Sequence, residues 1–116
     1  MWKVRFSPEA EKDLIKIDNS LKKQIYAGIR KVSTNPLPQS EGGYGKPLGN
    51  VDGTDLTGFF KIKYRGIGIR VVYAIVRDKE VMNIIVVSIR SDNHSYKLAQ
   101  KRKDKYGDDI NKDIFK

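Results

Sequence analysis

The chain has 116 residues, with 23 Lys and Arg against 14 Asp and Glu, one His, no Cys and a formal net charge of +9. That length suits one domain, because two separate cores would each sit near the lower limit for independent folding. No cysteine means no disulfide scaffold, thiolate chemistry or cysteine-bound zinc, and one histidine excludes a multi-histidine metal centre within a chain.

Trp2, Val4 and Phe6 alternate with Lys3 and Arg5, the two-residue period of a strand with one buried face. Ser7-Pro8-Glu9 then predicts a helix start: an N-cap, a proline at the first helical position and acids in the first turn. Ala10, Leu14 and Ile17 recur at helical spacing. After Asp18-Asn19-Ser20, Leu21, Ile25, Ile29 and Val32 do the same, so two helices form an antiparallel hairpin ended by Asn35-Pro36. Residues 35–55 hold three of the four prolines and read as a surface loop. The glycines around Tyr44 do not match a phosphate-cradling loop, since no strand precedes them and no lysine-serine helix start follows.

Three β-branched and aromatic runs follow, at 56–64, 68–77 and 81–89, with turns too short for anything but an antiparallel meander. Asp92 or Asn93 can cap a third helix, and the charged residues 103–116 read as a mobile tail. The predicted fold is α+β: an N-terminal strand and two-helix hairpin packed on an antiparallel sheet (β-α-α-β-β-β, then a C-terminal helix), with the helices on one sheet face. One domain spans 1–116. The longest apolar run, Val71–Val76, is too short to span a membrane. No apolar leader is visible, so a cytoplasmic protein is expected.

Charge is uneven: net +2 over residues 1–60 and +7 over 61–116. Such an excess points to a polyanionic partner. On a strand, Lys61, Lys63 and Arg65 share one face with neighbours about 7 Å apart, close to the phosphate repeat of a nucleic acid. A Gly66-Ile67 turn sets Lys63 opposite Arg70. Facing like charges destabilise a ladder, which favours an anion-binding role over a merely solvated face.

Arg90 and Tyr96 complete a pattern. Lys61-Ile62-Lys63-x-Arg65-x-x-Gly68-x-Arg70-x-Val72-Tyr73, then Arg90 after a strand, then Tyr96, resembles the RelE branch of the RelE/ParE toxin superfamily. Val4-x-Phe6-Ser7-Pro8-Glu9-Ala10, Asp13-Leu14 and Lys46-Pro47-Leu48 match it too, over roughly residues 1–102. The resemblance implies a microbial-ribonuclease-like fold and a type II toxin: a ribosome-dependent endoribonuclease that cuts mRNA in the A site. It implies a catalytic set of Lys61, Lys63, Arg70, Arg90 and Tyr96 and no metal or small-molecule cofactor. Arg65, on the same strand row, and His94, a departure from the family's pattern, read as further RNA contacts. The 2′-OH would attack the adjacent phosphate. The cations would stabilise the charge, Tyr96 would act as general base and Arg90 would steady the leaving oxygen. A tyrosine needs its pKa lowered by about three units, roughly 4 kcal/mol, to act at neutral pH, and His94 is the alternative base.

The implied partners are an acidic cognate antitoxin, the ribosome and mRNA, with no membrane and with DNA reached only through the antitoxin. Antitoxins of this family commonly occupy or displace the C-terminal helix. The competing readings are a ParE-like DNA gyrase poison and a non-catalytic RNA-binding module.

Register makes one more expectation. A three-residue Asp78-Lys79-Glu80 loop, or a compensating bulge, is needed for Arg90 to join the cationic face, because a one-residue slip flips every side chain. With that loop Ser88 stands opposite Arg70. Phe60, Ile62, Ile69, Val71, Tyr73, Ile85, Val87 and Ile89 then face the helices, and Tyr96 lies outside the core.

Overall fold

The alternation at the N-terminus becomes strand β1 (Lys3–Phe6) in the computed structural model, which describes residues 1–51, 53–89 and 91–116. Ser7 ends the strand and starts helix α1 (Pro8–Ile15): its hydroxyl accepts from the Ala10 N–H at 3.1 Å, and Pro8 sits where no N–H is needed. Asp18 caps helix α2 (Asn19–Ser33) by accepting from the Ser20 N–H. Strands β2 (Lys46–Val51), β3 (Thr54–Tyr64), β4 (Ile69–Val76) and β5 (Val81–Ser88) follow, then helix α3 (Asp92–Tyr106). The sheet runs β1-β5-β4-β3-β2, with β1 parallel to β5 and the other neighbours antiparallel.

This is the expected α+β architecture with two corrections. Strand β2 lies inside the stretch read as loop. It tolerates Pro47 because it is an edge strand, and a register shift occurs between Pro47 and Gly49. The helices also occupy both faces of the sheet. Helices α1 and α2 cover one face, where Leu14, Ile25 and Ile29 meet Phe60, Val71, Tyr73 and Ile84. Helix α3 covers the other, where Tyr96 and Ala99 meet Leu56, Phe59, Val72 and Val86. Residues 103–116, expected as a mobile tail, pack on this second face. Ile110 and Phe115 are buried, and the Asn83 amide donates to the Ile110 and Lys112 carbonyls, each at 3.0 Å. No helix among the described residues is long and apolar enough to cross a membrane.

The β4–β5 turn differs from the expected three-residue loop. Val76 pairs with Val81, leaving the four residues Arg77-Asp78-Lys79-Glu80, with Glu80 in the left-handed region at φ 53°. That register is then corrected. Tyr73 pairs with Ile84 but Val72 pairs with Val86, so Ile85 is an extra residue on β5. Beyond the bulge Ser88 stands opposite Arg70, as expected. The bulge turns Ile85 to the α3 face, leaving Ile84 and Met82 toward α1 and α2, while Ile89 is 59% exposed.

An ion pair secures this stretch. β1 ends opposite Ile84, where the chain turns into α1, so the next backbone groups of β5 lack a strand beside them. Arg102 of α3 and Asp13 of α1 form a two-pronged pair at 2.7 and 3.0 Å. Arg102 also donates to the Ile85 carbonyl at 2.8 Å, and Asp13 accepts from the Val87 N–H at 3.0 Å. One pair thus ties together the two helices and the bulged strand that sets the register of the cationic face.

Candidate active site

Strands β3 and β4 bring the cations together. Lys63 pairs directly with Arg70 and Lys61 with Val72, so the three side chains emerge from the sheet face that α3 covers lower down. Lys61 Nζ donates to the Tyr96 phenolic oxygen at 3.3 Å. Tyr96 is only 4% exposed, which corrects the expectation that it lies outside the core. Its ring belongs to the α3-side apolar cluster, so packing aims the hydroxyl at Lys61. Arg65 is exposed in the β3–β4 turn, at the end of the row that Lys61 and Lys63 begin.

Asp92 enters the cluster from the first turn of α3. Arg70 Nε donates to one carboxylate oxygen, and Lys63 Nζ stands 3.9 Å from the other. Burial alone would raise the Asp92 pKa. The Arg70 hydrogen bond, the Arg70 charge and then the lysine charges outweigh it and hold the group below the ordinary aspartate value. Asp92 was expected as a helix cap. The cap is instead Ser91, whose hydroxyl accepts from the His94 N–H at 3.3 Å.

His94 does not join the cations. Two residues from Tyr96 on a helix, it faces another way and lines a cleft between α1 and α3 with Asp13, Lys16, Leu98 and Arg102. Arg90 lies outside the described residues, so its expected place on the cationic face is not part of this geometry. What the described residues assemble is a surface of three cations, an internal carboxylate and a phenol, set above an apolar floor.

Residues 4–94, most of the chain, match the family described as the ParE toxin of the type II toxin–antitoxin system parDE. The chain belongs to this toxin family. An Escherichia coli protein described as RelE-like toxin is 25% identical over 104 residues, covering 87% of this chain and 96% of that protein. A double arginine-to-alanine variant of E. coli RelE in the free state is 26% identical, with a TM-score of 0.67 over 87% of this chain and 96% of that one. The RelBE2 toxin–antitoxin complex of Mycobacterium tuberculosis includes a chain 27% identical, with a TM-score of 0.51 over 77% of this chain and 98% of that one. These likenesses put the chain in the RelE branch of the RelE/ParE superfamily.

Within this RelE-like toxin, Asp92 is the site residue that the sequence did not reveal. An acid after a serine at a helix start has an ordinary explanation, favourable interaction with the helix dipole. Only the tertiary approach of α3 to β3 and β4 puts it between Arg70 and Lys63.

Proposed function

We propose that this RelE-like toxin is a ribosome-dependent endoribonuclease that cuts messenger RNA by metal-free transesterification. The observation that carries the reading is the Lys61–Tyr96 hydrogen bond beside Lys63 and Arg70, which sets a phenol oxygen against a cluster able to hold a phosphodiester. Acting as its phenolate, with the Lys61 ammonium donating to the oxygen, Tyr96 takes the proton of a ribose 2′-OH, and O2′ bonds to the adjacent phosphorus. The bond from phosphorus to O5′ breaks, O5′ takes a proton from water, and a 2′,3′-cyclic phosphate and a 5′-hydroxyl end remain. Negative charge grows on the phosphoryl oxygens, where preplaced cations are worth most. Arg90 keeps the role that the resemblance implies, a hydrogen-bond donor to the leaving oxygen. Arg65 extends the phosphate track, and an acidic antitoxin covers the basic half in the resting cell. The site of action is the cytoplasm. A gyrase poison needs no such cation and phenol set.

Asp92 already lies where a phosphate would lie against Arg70 and Lys63, so RNA must displace it. Asp92→Asn should tighten binding of a non-cleavable 2′-O-methyl RNA and steepen its salt dependence by about 0.7 in log–log slope, the contribution of one further cation. Anisotropy titrations at several salt concentrations check this, and an unchanged slope contradicts it. The function itself is tested by adding the toxin to a translation reaction and, separately, to a gyrase supercoiling reaction. Broken message with normal supercoiling is expected. Intact message with failed supercoiling overturns the proposal.

A further inference from the structure

The cationic face continues round the edge of the sheet into a groove that the catalytic reading does not use. β2 begins opposite Lys61, so Ile62, Lys63 and Tyr64 of β3 have no β2 residue beside them. Helix α2 and the loop before β2 flank this edge and leave an open groove of about 290 Å³ between them. Lys31, Lys46, Lys61 and Lys63 line it together with Tyr44, and no acid is among the described residues of its wall. Two of those lysines belong to the candidate active site, so the groove and the site are one continuous basic surface.

Tyr44 is 47% exposed, with the Lys31 ammonium 5.5 Å from its ring centre. The loop beneath is tightly built. The Tyr44 N–H donates to the Asn35 carbonyl at 2.9 Å, and Gly45 N–H donates to the Leu37 carbonyl at 2.9 Å. A Cβ on Gly43 would lie 2.1 Å from the Leu37 carbonyl oxygen, and one on Gly45 would lie 2.8 Å from it. Only glycine fits on either side of the tyrosine. The loop therefore fixes the backbone that carries the ring, and the ring stands half-exposed at the rim of a lysine-lined groove. An aromatic platform in a basic groove is how proteins hold single-stranded nucleic acid, the ring taking a base face and the lysines the backbone.

We propose that this groove is a second RNA subsite, in which Tyr44 stacks on an unpaired base while Lys31 and Lys46 hold the flanking phosphates. It rests on the nuclease reading above and adds to it the path of the strand: RNA leaves the Lys61–Arg70 cluster across the β3 edge toward α2. The strand is the message being cut, and ribosomal RNA is the other source of the same chemistry that the test separates from it.

The probe is a fluorescein-labelled 2′-O-methyl oligouridine of twelve nucleotides, which cannot be cleaved. Tyr44→Ala should weaken its binding about tenfold with no change in salt slope, and Tyr44→Trp should restore it. Lys31→Ala with Lys46→Ala should lower the slope by about 0.7 per lysine. Ribosomes with and without message separate the sources: a Tyr44→Ala loss only with message assigns the message strand, and an equal loss in both assigns ribosomal RNA. Oligouridine binding untouched by Tyr44→Ala overturns the subsite. So does a loss confined to antitoxin binding, which would make the groove a protein surface. Cleavage of message by the unaltered toxin is scored separately. A toxin that binds RNA through Tyr44 but cuts nothing keeps the subsite and loses the nuclease, whereas one that cuts normally as Tyr44→Ala and binds as before loses the subsite alone.

Discussion

Lys61→Met should slow message cleavage about 10²–10³-fold, the usual loss when one preplaced donor to a developing oxyanion is removed. The methionine keeps most of the side chain's length and discards its charge. Lys61 stands at the edge of the apolar floor, so its urea-unfolding midpoint should hardly move. Tyr96→Phe should lose cleavage to a similar extent while its ring keeps its place among Phe59, Val72 and Ala99. Because Lys61 donates to the Tyr96 oxygen, the two losses should not add. Single-turnover rates for the two single variants and the double variant check this. Fully additive losses would mean that the lysine and the phenol act on separate steps.

Asp13→Ala should produce the opposite pattern, a large loss of stability from a residue remote from the chemistry. The Asp13 and Arg102 side chains are 13% and 12% exposed, and the pair satisfies two backbone groups of β5. Removing the acid leaves Arg102 charged and nearly buried and leaves the Val87 N–H without its acceptor. Breaking a buried pair in this way costs about 3–5 kcal/mol, a large part of the stability of a domain this size. Urea unfolding should show a lower midpoint. A midpoint equal to that of the unaltered toxin would mean that the pair does not hold the bulged strand.

These two variants mark what could and could not be read from the residues. Strand β1, helices α1 and α2 and the meander from β3 to β5 follow from apolar period and turn chemistry, and Lys63 opposite Arg70 follows from register. The bulge does not. Ile84-Ile85-Val86-Val87 is apolar throughout, so no alternation betrays which residue is extra, and the Asp13–Arg102 clamp spans 89 residues of sequence. Strand β2 was hidden by Pro47 and Gly49, tolerated only because it is an edge. Helix α3 carries so few apolar residues among its lysines that nothing showed it lying on the cationic face. For the same reason Tyr96 became legible as a site residue through family spacing rather than pattern, and Asp92 not at all. Ile110 and Phe115, isolated in a charged stretch, gave no period from which a packed terminus could be inferred.

Primer extension decides whether the Lys61, Lys63, Arg70 and Tyr96 surface cuts message on the ribosome. A defined message is translated in a reaction of purified components with the unaltered toxin, with Lys61→Met, or with no toxin. Discrete reverse-transcription stops inside codons are expected with the unaltered toxin, with 5′-hydroxyl ends at those stops, and the stops should fade at least about a hundredfold with Lys61→Met. Full-length cDNA from a reaction that the toxin has nonetheless halted would contradict it.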